Sequence, residues 1–106
     1  MTAGLDPIIH APKRLAAMAL LAHAHDADFK FLRERLQVSD SDLSKQMSTL
    51  AEAGYVSVSK RGRGRASVTT YRITKVGRAA YQDHRRALEN LLSGSNAMTD
   101  AEGRPS

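Results

Sequence analysis

Residues 39–74 read SDSDLSKQMSTLAEAGYVSVSKRGRGRASVTTYRIT, and the hydrophobic period changes within this stretch. Before Gly54, apolar residues recur at the helical spacing i, i+4 and i+7: Leu43, Met47 and Leu50. After Gly54 the period falls to two, first in YVSVSK and again in SVTTYRIT, which favours β-strands. The stretch therefore predicts a helix followed by an antiparallel β-hairpin, with the basic segment SKRGRGRAS (59–67) at its tip.

Residues at the ends of these segments suit helix boundaries. Ser39 can cap the helix, with Asp42 at its third position in a weak version of the capping box. Gly54 suits the left-handed position that closes a helix. Thr74 can cap a further helix from about Lys75 to Leu92.

Two more helices are predicted upstream of residue 39. Pro12 suits the first position of a helix because its missing N–H costs nothing there. That helix continues to about His25 with apolar residues at helical spacing: Leu15, Met18, Ala19 and Ala22. Asp28 can cap a second helix with one apolar face: Phe29, Leu32 and Leu36. The expected fold class is mainly α with a small β-hairpin, in the element order of a winged helix-turn-helix.

The chain has 106 residues, which suffices for one small domain. We expect an N-terminal arm over residues 1–11, the winged helix-turn-helix over 12–92 and a disordered tail over 93–106, where small polar residues follow no pattern. The absence of cysteine excludes disulfides and zinc-thiolate sites. The longest apolar run, residues 16–22, is far too short to span a membrane, so we expect a cytoplasmic protein.

Positive charge is concentrated in residues 55–88. This segment holds nine lysines and arginines against one acid, Asp83, so its net charge is +8, compared with +5 for the whole chain. A strongly positive face suits a polyanionic partner. The alternative is a solvated surface that serves solubility.

Two blocks of sequence, LSKQMSTLAEAGYVSVSK (43–60) and TTYRITKVGRAAYQDH (69–84), resemble the MarR/ArsR-type winged-helix transcriptional regulators of bacteria and archaea. The resemblance covers residues 12–92 and implies a transcriptional regulator, by expectation a repressor, that binds double-stranded DNA. It also implies a homodimer formed through terminal helices, with a pseudo-palindromic operator whose half-sites lie about one helical turn apart. The cysteines of metal-sensing ArsR-like relatives are absent, so no metal or cofactor is predicted.

The outer face of the third helix is the candidate for reading DNA, because a major groove admits one α-helix and short polar or cationic side chains can reach base edges. Lys45 is the strongest candidate for a base or phosphate contact, and Gln46 could reach an adenine edge. The alternative is an ordinary solvent-exposed helix face. The full candidate set is Ser41, Asp42, Ser44, Lys45, Gln46, Ser48 and Thr49.

The hairpin tip is the candidate wing. Gly62 and Gly64 let the loop turn and approach a DNA backbone closely. We expect its cations to project outward beside the third helix, to clamp phosphates or enter a minor groove. They are Lys60, Arg61, Arg63 and Arg65. Arg72, inside the return strand, fits either an ion pair or a phosphate contact.

The apolar seam of the fourth helix can serve as core or as a dimer interface. The dimer candidates are Ile8, Ile9, Tyr81, His84, Leu88, Leu91 and Leu92. The segment 23–28 holds two histidines and two aspartates, which fit a polar helix end better than a metal site because no fourth ligand stands at a recognisable spacing. No catalytic set is present, so we expect a protein other than an enzyme. Alternatives to a sequence-specific regulator are a winged helix that binds protein or RNA, and a non-specific architectural DNA-binding protein.

Overall fold

The computed structural model describes residues 4–94, which form four helices and a three-stranded antiparallel sheet. The predicted fold class is confirmed. The elements follow in the order α1 (Pro12–Ala24), β1 (Asp26–Asp28), α2 (Phe29–Leu36), α3 (Asp40–Glu52), β2 (Val56–Arg61), β3 (Val68–Ile73) and α4 (Lys75–Ser93).

Side-chain caps begin three of the four helices, as the sequence predicts. Asp28, Ser39 and Thr74 each accept a hydrogen bond from the backbone N–H three residues further on, at 2.8, 3.1 and 2.9 Å. Gly54 has a φ of +81° and follows α3, as expected of the residue that closes a helix. Helix α4 continues to Ser93, one residue into the predicted tail, whose residues 95–106 lie outside the described part of the chain.

The short strand β1 is absent from the sequence-based prediction. Its three residues pair antiparallel with β3, which lies between β1 and β2 in the sheet. Ala27 is the inward-facing residue of this strand and is buried. Asp26 stands opposite Arg72, and their side chains form an exposed ion pair with a nitrogen–oxygen distance of 3.3 Å. The structure therefore shows Arg72 in an ion pair, which is one of the two roles predicted for it.

The hydrophobic core lies where α1, α2 and α3 meet one face of the sheet. Its fully buried large side chains are Ile9, Met18, Leu21, Leu32, Leu43, Met47 and Leu50. The sheet adds Val56, Tyr71 and Ile73. Ile9 belongs to the segment predicted as an N-terminal arm, but residues 4–11 pack onto the domain and contribute to its core.

Hydrogen bonds fasten this N-terminal segment to α1, to α4 and to the connection between α3 and β2. The backbone N–H of Asp6 donates to Nδ1 of His84 on α4 at 3.0 Å. The hydroxyl of Tyr55, between α3 and β2, donates to Oδ2 of Asp6 at 2.5 Å. That hydrogen bond and partial burial raise the pKa of Tyr55 to about 12.

Replacing Tyr55 by phenylalanine should destabilise the domain by about 1.5 kcal/mol, because a hydroxyl bonded to a carboxylate makes a charge-assisted hydrogen bond. The raised pKa makes this contribution depend on pH. It is fully present below about 10, the ordinary pKa of tyrosine, and is lost as the pH rises towards 12. Urea denaturation should therefore show a difference between wild type and Tyr55→Phe that shrinks above pH 10.

Tyr81→Phe is the matched control, because within the described residues the Tyr81 hydroxyl has no hydrogen bond. An equal loss of stability in both variants would contradict the role given to the Tyr55–Asp6 bond.

Candidate nucleic-acid interface

Helix α3 turns one polar face outward. Leu43, Met47 and Leu50 fix its orientation because all three are fully buried. The exposed candidates on the opposite side are Ser41, Ser44, Lys45 and Ser48. Thr49 is half-buried, and its hydroxyl donates to the carbonyl of Lys45 at 3.2 Å. The helix therefore exposes three serines and one lysine to solvent.

Asp42 and Gln46 face α1, where two cations hold them. Lys13 pairs with Asp42, and Arg14 donates to Oε1 of Gln46 at 2.7 Å. Nε2 of Gln46 in turn donates to Oδ1 of Asp42 at 3.0 Å. The hydrogen bond from Gln46, followed by that from Lys13, lowers the pKa of the Asp42 carboxyl. The amide of Gln46 is engaged at both ends, so it is not presented to a base as the sequence suggested, and a cation offsets the charge of Asp42.

Lys13 and Arg14 are relevant residues that the sequence reasoning missed. They stand directly after Pro12, in the first turn of α1. Their positive charge there was visible in the sequence. Their contact with α3, some thirty residues further on, follows only from the fold.

One side of the wing faces α3. Lys60 lies opposite Thr69 across the hairpin, on the same sheet face as Val58 and Tyr71. Together with α3 this face encloses an open groove of about 260 Å³. The polar side chains that line it are Ser44, Ser48, Lys60 and Thr69. The structure thus brings two candidates from the helix and one from the wing to a single groove.

Arg61 lies on the other side of the wing. It stands opposite Val68 and shares a face with Arg72, because successive residues of a strand point to opposite faces. The expectation that every wing cation lies beside α3 is therefore wrong for Arg61.

The tip of the wing is a tight turn that exposes two arginines. Residues 64–66 form one turn of 3₁₀ helix, in which the N–H of Ala66 donates to the carbonyl of Arg63 at 3.0 Å. Gly62 has a φ of +85°, and a Cβ placed there would lie 2.7 Å from the carbonyl oxygen of Ala66. Glycine is thus required at this position for both conformation and space. Arg63 and Arg65 are exposed.

The residues named for a dimer interface divide into two groups. Ile9 and His84 are fully buried within the chain, so neither contributes to an open surface, and the half-buried Tyr81 packs against the core. Leu91 and Leu92 are 37% and 79% exposed near the end of α4. The half-buried Leu88 lies one turn before them, and Ile8 is half-buried beside the core.

Three of the four histidines and aspartates in residues 23–28 have separate partners. Nδ1 of His25 lies 3.0 Å from a guanidinium nitrogen of Arg78, Asp26 pairs with Arg72, and Asp28 caps α2. Among residues 4–94, no three histidine or acidic side chains cluster as a metal site would require. No helix within that range is long and apolar enough to cross a membrane.

Residues 13–92 match the sequence model of a family described as the winged helix DNA-binding domain. The chain belongs to this family. The matched region runs from the second residue of α1 to the last but one of α4 and includes both strands of the wing. The family is described as a DNA-binding domain and not as an enzyme.

Relatives and structural neighbours agree with this assignment. An uncharacterized protein of Methanocaldococcus jannaschii is 31% identical over 78 residues, which is 73% of this chain and 84% of the relative. A transcriptional regulator homologue from Pyrococcus horikoshii matches with a TM-score of 0.76 and 23% identity, covering 82% of this chain and 86% of the other. The YusO protein of Bacillus subtilis matches with a TM-score of 0.69 and 16% identity, covering 94% and 67%. The fold is thus that of MarR-like transcriptional regulators, as the sequence blocks suggested.

Proposed function

We propose that this winged helix protein is a transcriptional regulator, by expectation a repressor, that recognises specific sequences in double-stranded DNA. The observation that carries the proposal is the groove between α3 and the wing, where Ser44 and Ser48 of the helix face Lys60 of the hairpin. A DNA backbone lying in this groove would meet hydroxyl donors on one wall and a cation on the other. Donors of both kinds contact phosphates in protein–DNA complexes.

In this arrangement α3 enters the major groove with its exposed face towards the bases. Lys45 is exposed and its ammonium makes no hydrogen bond or ion pair with the described residues, so the ammonium is available to a guanine edge or a phosphate. Ser41 and Ser48 flank it one turn away on either side, and their short side chains permit close approach. Arg63 and Arg65 extend from the tip towards the flanking backbone or minor groove.

The proposed DNA-binding unit is a homodimer. Leu88, Leu91 and Leu92 supply the apolar surface for it, since Leu91 and Leu92 are exposed along the end of α4. A two-fold axis through this helix would present two copies of α3 to successive major grooves. The operator would then be pseudo-palindromic, with half-sites about one helical turn apart. The protein would work in the cytoplasm, associated with the nucleoid when bound.

Selection of bound sequences from a random duplex library tests the proposal. We expect a pseudo-palindromic consensus. Strong binding without a consensus would indicate an architectural protein, and no measurable duplex affinity at low salt would overturn the DNA-binding function. In the last case the protein-binding and RNA-binding alternatives would take its place.

Two substitutions should separate base reading from backbone contact. Lys45→Ala should weaken binding to the selected consensus by about tenfold and relax the preference at one or two positions, because a good base contact is worth about 1–3 kcal/mol. Arg63→Ala should weaken consensus and scrambled duplexes by nearly equal factors. Competition binding with both duplexes measures this, and a sequence-selective loss in Arg63→Ala would show that the wing reads bases.

A further inference from the structure

A chain of hydrogen bonds connects α4 with the DNA-facing helix through the N-terminal segment. Starting at α4, His84 accepts from the N–H of Asp6, and Oδ1 of Asp6 accepts from the N–H of Ile8 at 2.8 Å. The carbonyl of Ile8 accepts from Nε of Arg14 at 2.5 Å. Arg14 then holds Gln46 on α3 at 2.7 Å. Each donor in this series of hydrogen bonds has one acceptor. A displacement of residues 4–11 would therefore displace Arg14 and, with it, Gln46 on α3.

The geometry fixes the protonation state of His84. Its Nδ1 faces a backbone N–H, which can only donate, so this nitrogen must carry a lone pair. The proton of the neutral ring is then on Nε2, which lies 3.4 Å from Nδ1 of His10. A doubly protonated ring would direct an N–H at the N–H of Asp6 and break the first bond of the chain.

The surroundings of this ring disfavour a second proton. His84 is fully buried, and burial is the main cause that lowers its pKa, followed by the charge of His10. Asp6 acts in the opposite direction, although its carboxylate also accepts from the Tyr55 hydroxyl. On α4 itself the titratable neighbour one turn away is Tyr81.

We infer that residues 4–11 form a clasp that positions α3 for DNA, and that protonation of His84 releases the clasp and weakens DNA binding. The inference rests on the proposed function and adds a regulatory input to the same site. Asp6 and Arg14 are its positioning residues, since they act on α3 through Gln46. The direction in which DNA affinity changes with pH distinguishes release of the clasp from the titration of surface histidines. Protonation of surface histidines adds positive charge and strengthens binding to a polyanion, whereas release of the clasp weakens it.

The magnitude follows from linkage. While the clasp is closed, His84 cannot take up a second proton. Once the clasp is released, His84 takes up that proton with the ordinary pKa of histidine, about 6.5. Between pH 7.5 and 5.5 the affinity should therefore fall by up to about tenfold. Fluorescence anisotropy of the full chain with a labelled duplex from the selection, at constant ionic strength, measures the ratio of the two dissociation constants.

His84→Gln is the decisive variant. A glutamine amide can accept from Asp6 and donate to His10, yet it does not titrate, so the pH ratio should fall to about one. His23→Gln is the control, because it removes an exposed histidine in the last turn of α1. This variant should keep the wild-type ratio of the two dissociation constants. If His84→Gln retains the wild-type ratio, another group is responsible and the inference is overturned.

A measurement without DNA separates this inference from the proposed function. In ¹H–¹⁵N spectra of the free protein, the side-chain amide of Gln46 should shift with pH at the same midpoint as the His84 ring. In Arg14→Gln the ring should still titrate while Gln46 no longer follows. Absence of co-titration in the wild type would refute the clasp even if DNA binding is confirmed. Co-titration in a protein that binds no duplex would leave the clasp intact and refute the proposed function.

Discussion

Replacing Gly77 by alanine should destabilise the winged helix domain by about 3 kcal/mol, the upper part of the usual range for overpacking a core. Gly77 is buried in the first turn of α4, directly against the connection between α3 and β2. A Cβ built on it would lie 2.0 Å from the carbonyl oxygen of Tyr55 and 2.8 Å from its carbonyl carbon. These atoms are backbone, so no rotamer change can relieve the overlap.

The carbonyl of Tyr55 cannot move away without further loss. It accepts a hydrogen bond from the N–H of Thr74 at 3.0 Å, and the Thr74 hydroxyl donates to the carbonyl of Gly54 at 2.6 Å. These bonds tie the start of α4 to the end of α3. Relief of the overlap would therefore displace α4 and break a helix cap. Glycine costs a helix about 1 kcal/mol relative to alanine, so its presence here reflects this close approach.

Thermal unfolding measured by circular dichroism tests this prediction. A loss of about 3 kcal/mol corresponds to a fall in Tm of at least roughly 10 °C for a domain of this size. Gly54→Ala is the graded control. Its φ of +81° is unfavourable for alanine, but a Cβ there meets nothing within 4 Å, so the cost should be only about 1 kcal/mol. Equal losses in both variants would contradict the prediction, because the overlap at Gly77 would then cost no more than the unfavourable φ at Gly54.

The helices were predictable because each has a local signature. Thirteen residues in α3 are enough for three buried residues to appear at helical spacing, and the caps at Asp28, Ser39 and Thr74 act within three residues of themselves. Strand β1 has three residues, which is too few for an alternating pattern to appear. Its pairing with β3, more than forty residues away, was therefore invisible in the sequence.

The wing was only partly predictable for a different reason. The alternation that predicted β2 already places Lys60 on the face of Val56 and Val58, and Arg61 on the face of Ser57. The separation of the two cations thus follows from the sequence once the apolar face is assumed to pack inward. The contact of Arg14 with Gln46 has no such local rule, because it depends on how α1 crosses α3. The same holds for His84, whose partner Asp6 is 78 residues away.

The second large effect concerns the salt dependence of DNA binding. If the proposed interface is right, the triple substitution of Lys60, Arg63 and Arg65 by glutamine removes three cations that face the DNA backbone. Each phosphate contact contributes about −0.9 to the slope of log K against log salt concentration. About six contacts give the wild type a slope of about −5, so the triple variant should have a slope of about −2.5. At 100 mM salt the affinity of the triple variant should be lower than that of the wild type by roughly 10²–10³-fold, because the three lost contacts no longer release counterions.

Net charge alone must be separated from local contact. The matched control replaces Arg72, Arg85 and Arg86 by glutamine, which removes the same charge. Each of these arginines pairs with an acid on the surface (Asp26, Glu89 and Asp83, respectively). Exposed ion pairs contribute little to stability, so both triple variants should fold. Anisotropy titrations from 50 to 300 mM salt should leave the control slope near −5. An equal reduction of the slope in both variants would mean that DNA senses only the total charge of the protein, and the wing would lose its assigned role.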